Sequence, residues 1–394
     1  MTPANRVNNI TEGIFDEVAV LAKKLLNEGK EIINLSVGSP DLPPALEIRK
    51  KIASEVMEED NYGYALTSGL PEFRNAIAEW YLNNHFVELD PELEILPLMG
   101  SQDGLAHIFW SYINQGDYAL IPDPGYPVYT DALLLAEGIP YYMNLTKENN
   151  YLPDFSTIPD DIAQKTKIMI LNYPSNPLAV TANTDFFIEA LSFAKKNNIL
   201  LCHDFAYSEL AYDGFSPESI LSIPDAKKHA VEFHSLSKSF NLAGIRLGFI
   251  TGNKEAIAAL KKVKSNIDFG SFKAFLKVGA WLLKEDKSKF VISNAMAYQR
   301  RRDVLLYGLE KAGWRIDKPN ASMFVWAKIP CCGLNSRDFA YELARNTGVI
   351  VVPGIAFGKN GEGYIRIGLV ADENKLERAA ELMGNFYREK NNNK

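Results

Sequence analysis

Five short runs of almost unbroken apolar residues punctuate the middle of the chain: Tyr118–Ile121, Lys167–Leu171, Ile199–Cys202, Val231–Phe233 and Leu247–Thr251. Each is closed by Gly, Pro, Asn or Asp. A strand with one wet face alternates polar and apolar residues, whereas a strand covered on both faces does not. Elsewhere apolar residues recur at helical spacing. Leu70, Phe73, Ile77, Trp80 and Tyr81 form one such set, and Leu105, Ile108, Phe109, Tyr112 and Ile113 another, ending at Asn114-Gln115-Gly116. Strands of this kind among helices specify an α/β fold with a mostly parallel central sheet flanked by helices. In such sheets ligands gather at the carboxyl ends of the strands.

The texture changes near residue 285. Ile292–Ala312 reads as a long helix bearing Arg300-Arg301-Arg302, and Met323–Ala327, Gly348–Val352 and Tyr364–Leu369 read as strands of a smaller α+β unit. We therefore expect residues 45–286 to form a large domain and 287–394 a small one, with the segment 1–44 packing on the small domain. The 394 residues are ample for two cores. A formal charge of −7 argues against nucleic acid or an anionic membrane as partner. Three cysteines cannot build a disulfide framework, Cys331-Cys332 cannot chelate a metal alone, and a reducing, cytoplasmic compartment is expected. Met1–Gly13 has no apolar signal core, and no run approaches the ~18 residues that span a bilayer. The tail Asn391–Lys394 is expected to fray.

The strand ends carry distinct polar groups. After Leu96–Met99 comes Gly100-Ser101-Gln102, a small-residue turn opening a helix, where free N–H groups suit a phosphate or simply an N-cap. After Ile121 comes Pro122-Asp123-Pro124-Gly125-Tyr126-Pro127, a rigid loop whose tyrosine could cover a flat ligand. Asn172-Tyr173-Pro174-Ser175-Asn176-Pro177 fixes the backbone around Asn176. Asp204 ends a buried run and needs a cationic or hydrogen-bonding partner there. His234-Ser235-Leu236-Ser237-Lys238-Ser239 sets a lysine among hydroxyls, with Arg246 eight residues on. Serines and an arginine suit a phosphate, and a lysine so placed suits a bond to a carbonyl. Together these features describe one ligand: a phosphate at one end, a flat ring, a ring nitrogen needing an acid and an aldehyde taken by lysine. That ligand is pyridoxal 5′-phosphate.

At these residues the chain resembles the class I/II aminotransferases, the fold-type I pyridoxal phosphate enzymes. The likeness runs from Asn34-Leu35-Ser36-Val37-Gly38 to Tyr364-Ile365-Arg366-Ile367-Gly368. It implies that Lys238 bonds the cofactor and then shuttles a proton, and that Asp204 holds the pyridine nitrogen protonated. Tyr207 and Asn176 would hydrogen-bond the phenolic oxygen, and Tyr126 would stack on the ring. Ser101, Gln102, Ser235, Ser237 and Arg246 would bind the phosphate. Tyr64, in Tyr62-Gly63-Tyr64, would reach the phosphate in a partner subunit, implying a homodimer with shared active sites. Arg366 would grip the substrate α-carboxylate with help from Gly38 and Asn176. The implied activity is transfer of an amino group between an L-amino acid and a 2-oxo acid.

Asp123-Pro124-Gly125-Tyr126-Pro127-Val128-Tyr129, Glu232-Phe233-His234-Ser235-Leu236-Ser237-Lys238 and Lys264-Ser265-Asn266-Ile267-Asp268 are similar to bacterial LL-diaminopimelate aminotransferases, within a group that includes aspartate aminotransferases. Two positions depart. Asn176-Pro177-Leu178-Ala179 replaces the usual turn, and Gln102 stands where many relatives acting on acidic substrates carry lysine. A carbon–sulfur β-lyase on the same scaffold is the alternative reading, since only the fate of the carbanion differs. A non-catalytic regulator is disfavoured by the intact Lys238. No metal is expected: His203 should point away from Cys202 and Asp204 on a strand. His85 and His107 read as structural, Gly354–Lys359 as a loose loop or a flap over the substrate, and Ile14 and Phe15 as pocket lining or a hydrophobic anchor.

Overall fold

The computed structural model describes residues 1–8, 10, 13–330 and 333–392, so Cys331-Cys332 lie outside the described residues. The chain begins its sheets with β1 (Ile33–Asn34). A seven-stranded sheet follows: β2 (Ile95–Leu98), β3 (Tyr118–Asp123), β4 (Ile139–Asn144), β5 (Thr166–Asn172), β6 (Leu200–Asp204), β7 (Ala230–Ser235) and β8 (Gly248–Gly252). Its spatial order is β2-β8-β7-β6-β5-β3-β4. β8 runs antiparallel to both β2 and β7, and the other neighbours are parallel. The fold is thus α/β with a mostly parallel sheet, the architecture of the fold-type I transferases.

Alternate residues of one strand show why the inner runs are continuously apolar. Met169 and Leu171 of β5 join a core with Phe73, Ile77, Leu201 and Phe249. Ile168 and Ile170 join a second core with Ile108, Phe109, Val231 and Phe233. Each face is covered by helices, so neither set can be polar. β4 is the strand not foreseen from sequence. It lies at the sheet edge, its residues are mostly half-buried or exposed, and it carries Pro140, which an edge position tolerates.

A second, three-stranded sheet has the order β11-β12-β9, formed by β9 (Phe324–Lys328), β11 (Val352–Pro353) and β12 (Tyr364–Gly368). β10 (Val349–Ile350) pairs instead with β1, Ile33 facing Val349 and Asn34 facing Ile350. A separate core of Tyr298, Leu305, Phe324, Val325, Phe339, Ile365 and Met383 underlies this part. The helix Ser288–Lys311 is 24 residues, about 36 Å, long and runs between the two regions. Its Asn294 lies against Lys238 and Ser239, and its Leu305 and Leu309 enter the second core. Of the tail expected to fray, Asn391 and Asn392 belong to the helix Glu373–Asn392, and Asn393 and Lys394 lie outside the described residues. No helix among the described residues is long and apolar enough to cross a membrane.

Candidate active site

β6 ends at Asp204, which is 5% exposed. The Tyr129 hydroxyl donates to its Oδ2 at 2.6 Å, and the Ala206 N–H donates to Oδ1 at 3.2 Å. Among the described residues no basic side chain forms an ion pair with it. Burial pushes its carboxyl above the ordinary range against the pull of those two hydrogen bonds. The neighbouring strand end holds the main chain. Asn172 Nδ2 donates to the Asp204 carbonyl at 2.8 Å, while Asn172 Oδ1 accepts the Asn176 N–H at 2.8 Å.

Behind this acid, His203 is buried and points away from it, as alternation on a strand requires. Its Nδ1 lies 2.9 Å from Glu232 and its Nε2 2.8 Å from the Tyr173 carbonyl. Glu232 also accepts from Tyr81, Ser219 and the Ile220 N–H. Burial opposes its charge, but the hydrogen bond with His203 and the pull of nearby His234 outweigh it and hold the carboxyl well below the usual range. His85 nearby is pushed down to about 4, first by burial.

β7 delivers Lys238 through the short helix Leu236–Ser239. Lys238 Nζ donates to the Gly38 carbonyl at 2.8 Å. Burial, then the charges of Arg366 and Arg246, pull its amine down to about 8, while Asp204 opposes them. Gly100 has φ +84°, and a Cβ there would meet Arg246 Nη2 at 2.5 Å. Gly100 precedes the N-terminus of the helix Ser101–Tyr112, whose first N–H groups have no intrahelical acceptor. Ser237 Oγ is buried and has no hydrogen-bond partner among the described residues; it lies beside Ser235. Arg246 itself adopts a left-handed φ of 53°, a strained setting for a side chain with a Cβ.

The opposite wall is Arg366 on β12, 3% exposed. Its Nη1 donates to Asn176 Oδ1 at 2.9 Å and its Nη2 to the Ser36 carbonyl at 2.8 Å. Its Nε is buried and has no hydrogen-bond partner among the described residues. The guanidinium lies over the Phe324 ring at 4.2 Å and near Phe357 at 4.8 Å. Burial brings it down to about 10, so it remains cationic.

One cavity gathers Gly38, Ser101, Gln102, Tyr126, Asn176, Asp204, Tyr207, Ser235, Ser237, Lys238, Arg246 and Arg366, every residue the resemblance assigns to cofactor or substrate except Tyr64; Ile14 packs instead with Val18 and Leu25. Tyr64 is 77% exposed and packs 5.1 Å from Phe269, away from that cavity. Phe15 lines the cavity too, 5.7 Å from Arg366. Sequence reasoning missed Tyr129 and Asn172. Tyr129 lies one helical turn after Tyr126, and that spacing was the available signal. Gly354–Lys359 differs from the loose loop expected of it. The Phe357 carbonyl accepts the Gly125 N–H at 2.8 Å, and adjacent Asn360 bonds Asp123 and Asn144.

The residues fit pyridoxal phosphate on observations that need no ligand. An anion suits the cradle of free helix N–H groups, the unpartnered Ser237 hydroxyl and Arg246. A ring cation suits Asp204, a buried acid without a basic partner, and an aldehyde suits the depressed amine of Lys238. Fold and site thus define a pyridoxal phosphate-dependent enzyme of fold type I. Comparison narrows the class. Residues 30–382 match the aminotransferase class I and II family, and the chain belongs to it. It is an enzyme that moves an amino group between an amino acid and a 2-oxo acid. The LL-diaminopimelate aminotransferase of Dehalococcoides mccartyi is 42% identical over 387 residues, covering 98% of this chain and 99% of that one. That of Natranaerobius thermophilus is 41% identical, covering 98% and 100%. Substrate-bound BacF from Bacillus subtilis superimposes with a TM-score of 0.94 at 33% identity over 98% of each chain. An aminotransferase from Staphylococcus aureus gives 0.90 at 34% identity, covering 98% and 99%.

Proposed function

We propose that this aminotransferase takes LL-diaminopimelate as its amino donor. The observation that carries the donor is near-full-length identity of about two residues in five to enzymes named for that reaction. The observation that carries the chemistry is the juxtaposition of Lys238, Asp204 and Arg366 around one cavity. When bound, pyridoxal phosphate draws electrons from the substrate Cα.

The chain's own residues do the rest. Arg366, with the Gly38 N–H and Asn176, fixes the α-carboxylate, each terminal nitrogen having a second N–H beyond the one given to Asn176 or Ser36. Lys238 would hold the cofactor at rest and, once released from it, would carry the proton from the substrate Cα to the carbon that had been the cofactor's aldehyde. An amine at about 8 is partly neutral near pH 7 and can accept that proton. Asp204 keeps the ring nitrogen protonated, and Tyr129 steadies the carboxylate. Tyr207 and Asn176 hydrogen-bond the ring hydroxyl, Tyr126 covers the ring, and Ser101, Gln102, Ser235, Ser237 and Arg246 take the phosphate. Gln102 is exposed at the cavity mouth and its Oε1 accepts from Tyr126 at 3.2 Å, so the distal end of the donor meets a neutral group here.

A homodimer accompanies this reading. Tyr62, Tyr64, Leu66, Ile267 and Phe269 are exposed together, an apolar patch that suits burial by a second copy, with Tyr64 reaching the partner's phosphate. In this reading 45–286 is the large domain and 287–394 the small one, with 1–44 packed on the latter: Ile33 and Leu35 share a core with Phe324 and Ile365, a core that also takes in Tyr207, Leu210 and Tyr212. The free thiol of Cys202 suits a reducing cytoplasm.

The experiment is a half-reaction. Holoenzyme is mixed with single donors, without an acceptor, and its cofactor absorbance is followed. LL-diaminopimelate should bleach the resting band and a 2-oxo acid should restore it. Bleaching by aspartate or a neutral amino acid alone would reject the donor. Pyruvate and ammonia from cysteine-like compounds, with no bleaching by any donor, would favour the β-lyase.

A further inference from the structure

The helix that carries Lys238 is only four residues long, Leu236–Ser239. The last carbonyls of any helix lack intrahelical partners, and in so short a helix those orphans include Lys238 and Ser239 themselves. Both are met by one side chain from far along the sequence. Asn294 Nδ2 donates to the Lys238 carbonyl at 2.8 Å and to the Ser239 carbonyl at 3.2 Å. Asn294 is buried on the long helix Ser288–Lys311. Its amide is turned the right way by a second asparagine, because Asn241 Nδ2 donates to Asn294 Oδ1 at 3.0 Å. Asn241 sits just past the short helix with a left-handed φ of 57°, a conformation asparagine tolerates at helix ends.

We infer that Asn294 is a positioning residue for Lys238: it closes the end of the short helix and so fixes the lysine to the long helix between the two sheets. Seven residues on, about two turns along the same face, Arg301 grips Asp41 through both guanidinium nitrogens at 2.7 and 2.9 Å and also holds the Leu369 carbonyl at 3.0 Å. Asp41 lies three residues beyond Gly38, whose carbonyl accepts Lys238 Nζ. The long helix therefore holds the lysine twice, by its backbone through Asn294 and by its amine through the loop anchored at Arg301. Asn294 does not line the cavity, so its effect passes through the placement of Lys238 and not through substrate contact. The inference rests on Lys238 being the reacting amine.

The test uses purified holoenzyme of Asn294→Leu, Asn241→Ala and the double variant. For each, kcat, the donor KM, the melting temperature and the pH midpoint of the cofactor absorbance are measured. Asn294→Leu should lower kcat by about 10- to 100-fold. Its donor KM should stay within about twofold, and its spectral midpoint should move by about half a pH unit or more. Asn241→Ala should move the same quantities less, and the double variant should match Asn294→Leu, because the two asparagines act as one unit. A lower melting temperature with wild-type kcat and midpoint would overturn the inference. Should Asn294→Leu not fold, an unchanged midpoint and kcat in Asn241→Ala would overturn it equally. Lys238→Ala is the separate control: if that variant turns over normally, the assignment of the amine fails, whatever Asn294 does.

Discussion

Tyr129 and Asp204 are joined by a 2.6 Å hydrogen bond across 75 residues of sequence, both side chains being buried. The tyrosine stays protonated, since burial and the adjacent carboxylate push its own ionisation far up. It is therefore a permanent donor that favours the charged form of Asp204. Tyr129→Phe keeps the ring and removes only that donor. A hydrogen bond to a charged group is worth about 1.5–3 kcal/mol. The Asp204 carboxylate should become easier to protonate, the cofactor absorbance should titrate at a shifted pH, and kcat should fall about tenfold or more. Spectral titration beside steady-state kinetics checks it.

The amine of Lys238 has a pH signature in protein freed of cofactor. Folding lowers it from 10.5 to about 8. Between those values the unfolded chain holds a proton that the folded chain has released, so this group makes stability rise with pH across that window. Below about pH 8 both states bind the proton and its folded-state penalty is fully felt. Lys238→Met should melt higher than wild type at pH 7, and the gap should narrow toward pH 10. Calorimetry at a series of pH values would show a constant gap if the lysine were not depressed.

Arg366→Lys tests the fork. Lysine keeps the charge but cannot hold Asn176 and Ser36 while presenting another donor to a carboxylate. kcat/KM for the donor should drop about 100-fold, most of it in KM. Amines lacking an α-carboxylate should be affected far less in the half-reaction.

Glu232→Gln tests the scaffold behind the site. The carboxylate serves His203, Tyr81, Ser219 and the Ile220 N–H at once, and an amide cannot accept from all of them. Loss of a fully buried charged partner costs about 3–5 kcal/mol. Urea unfolding should show a loss of that order with an unchanged m-value.

Much of this was legible in the sequence, and the reason is physical. The inner strands announce themselves because both faces are dry, and the polar residues that end them have few roles other than binding. β4 escaped because Pro140, Tyr141 and Tyr142 at a wet edge do not look like a buried strand. Tyr129 escaped because a core tyrosine and a hydrogen-bonded one have the same periodicity. The pair Lys238 and Asn294 is separated by 56 residues, and nothing local to either position marks the contact. Gln102 was legible as a departure, and the structure adds its tyrosine partner.

The Ser36 carbonyl holds Arg366 from 330 positions away. The sheet that bears Asp204 and the short helix that bears Lys238 are complete by residue 252. Domains fold in the order in which they leave the ribosome. A growing chain has thus made Asp204 and Lys238 more than a hundred residues before it has made Arg366. Any product that stops short of β12 lacks Arg366, and with it the cation that the Ser36 carbonyl and Asn176 hold at the cavity wall.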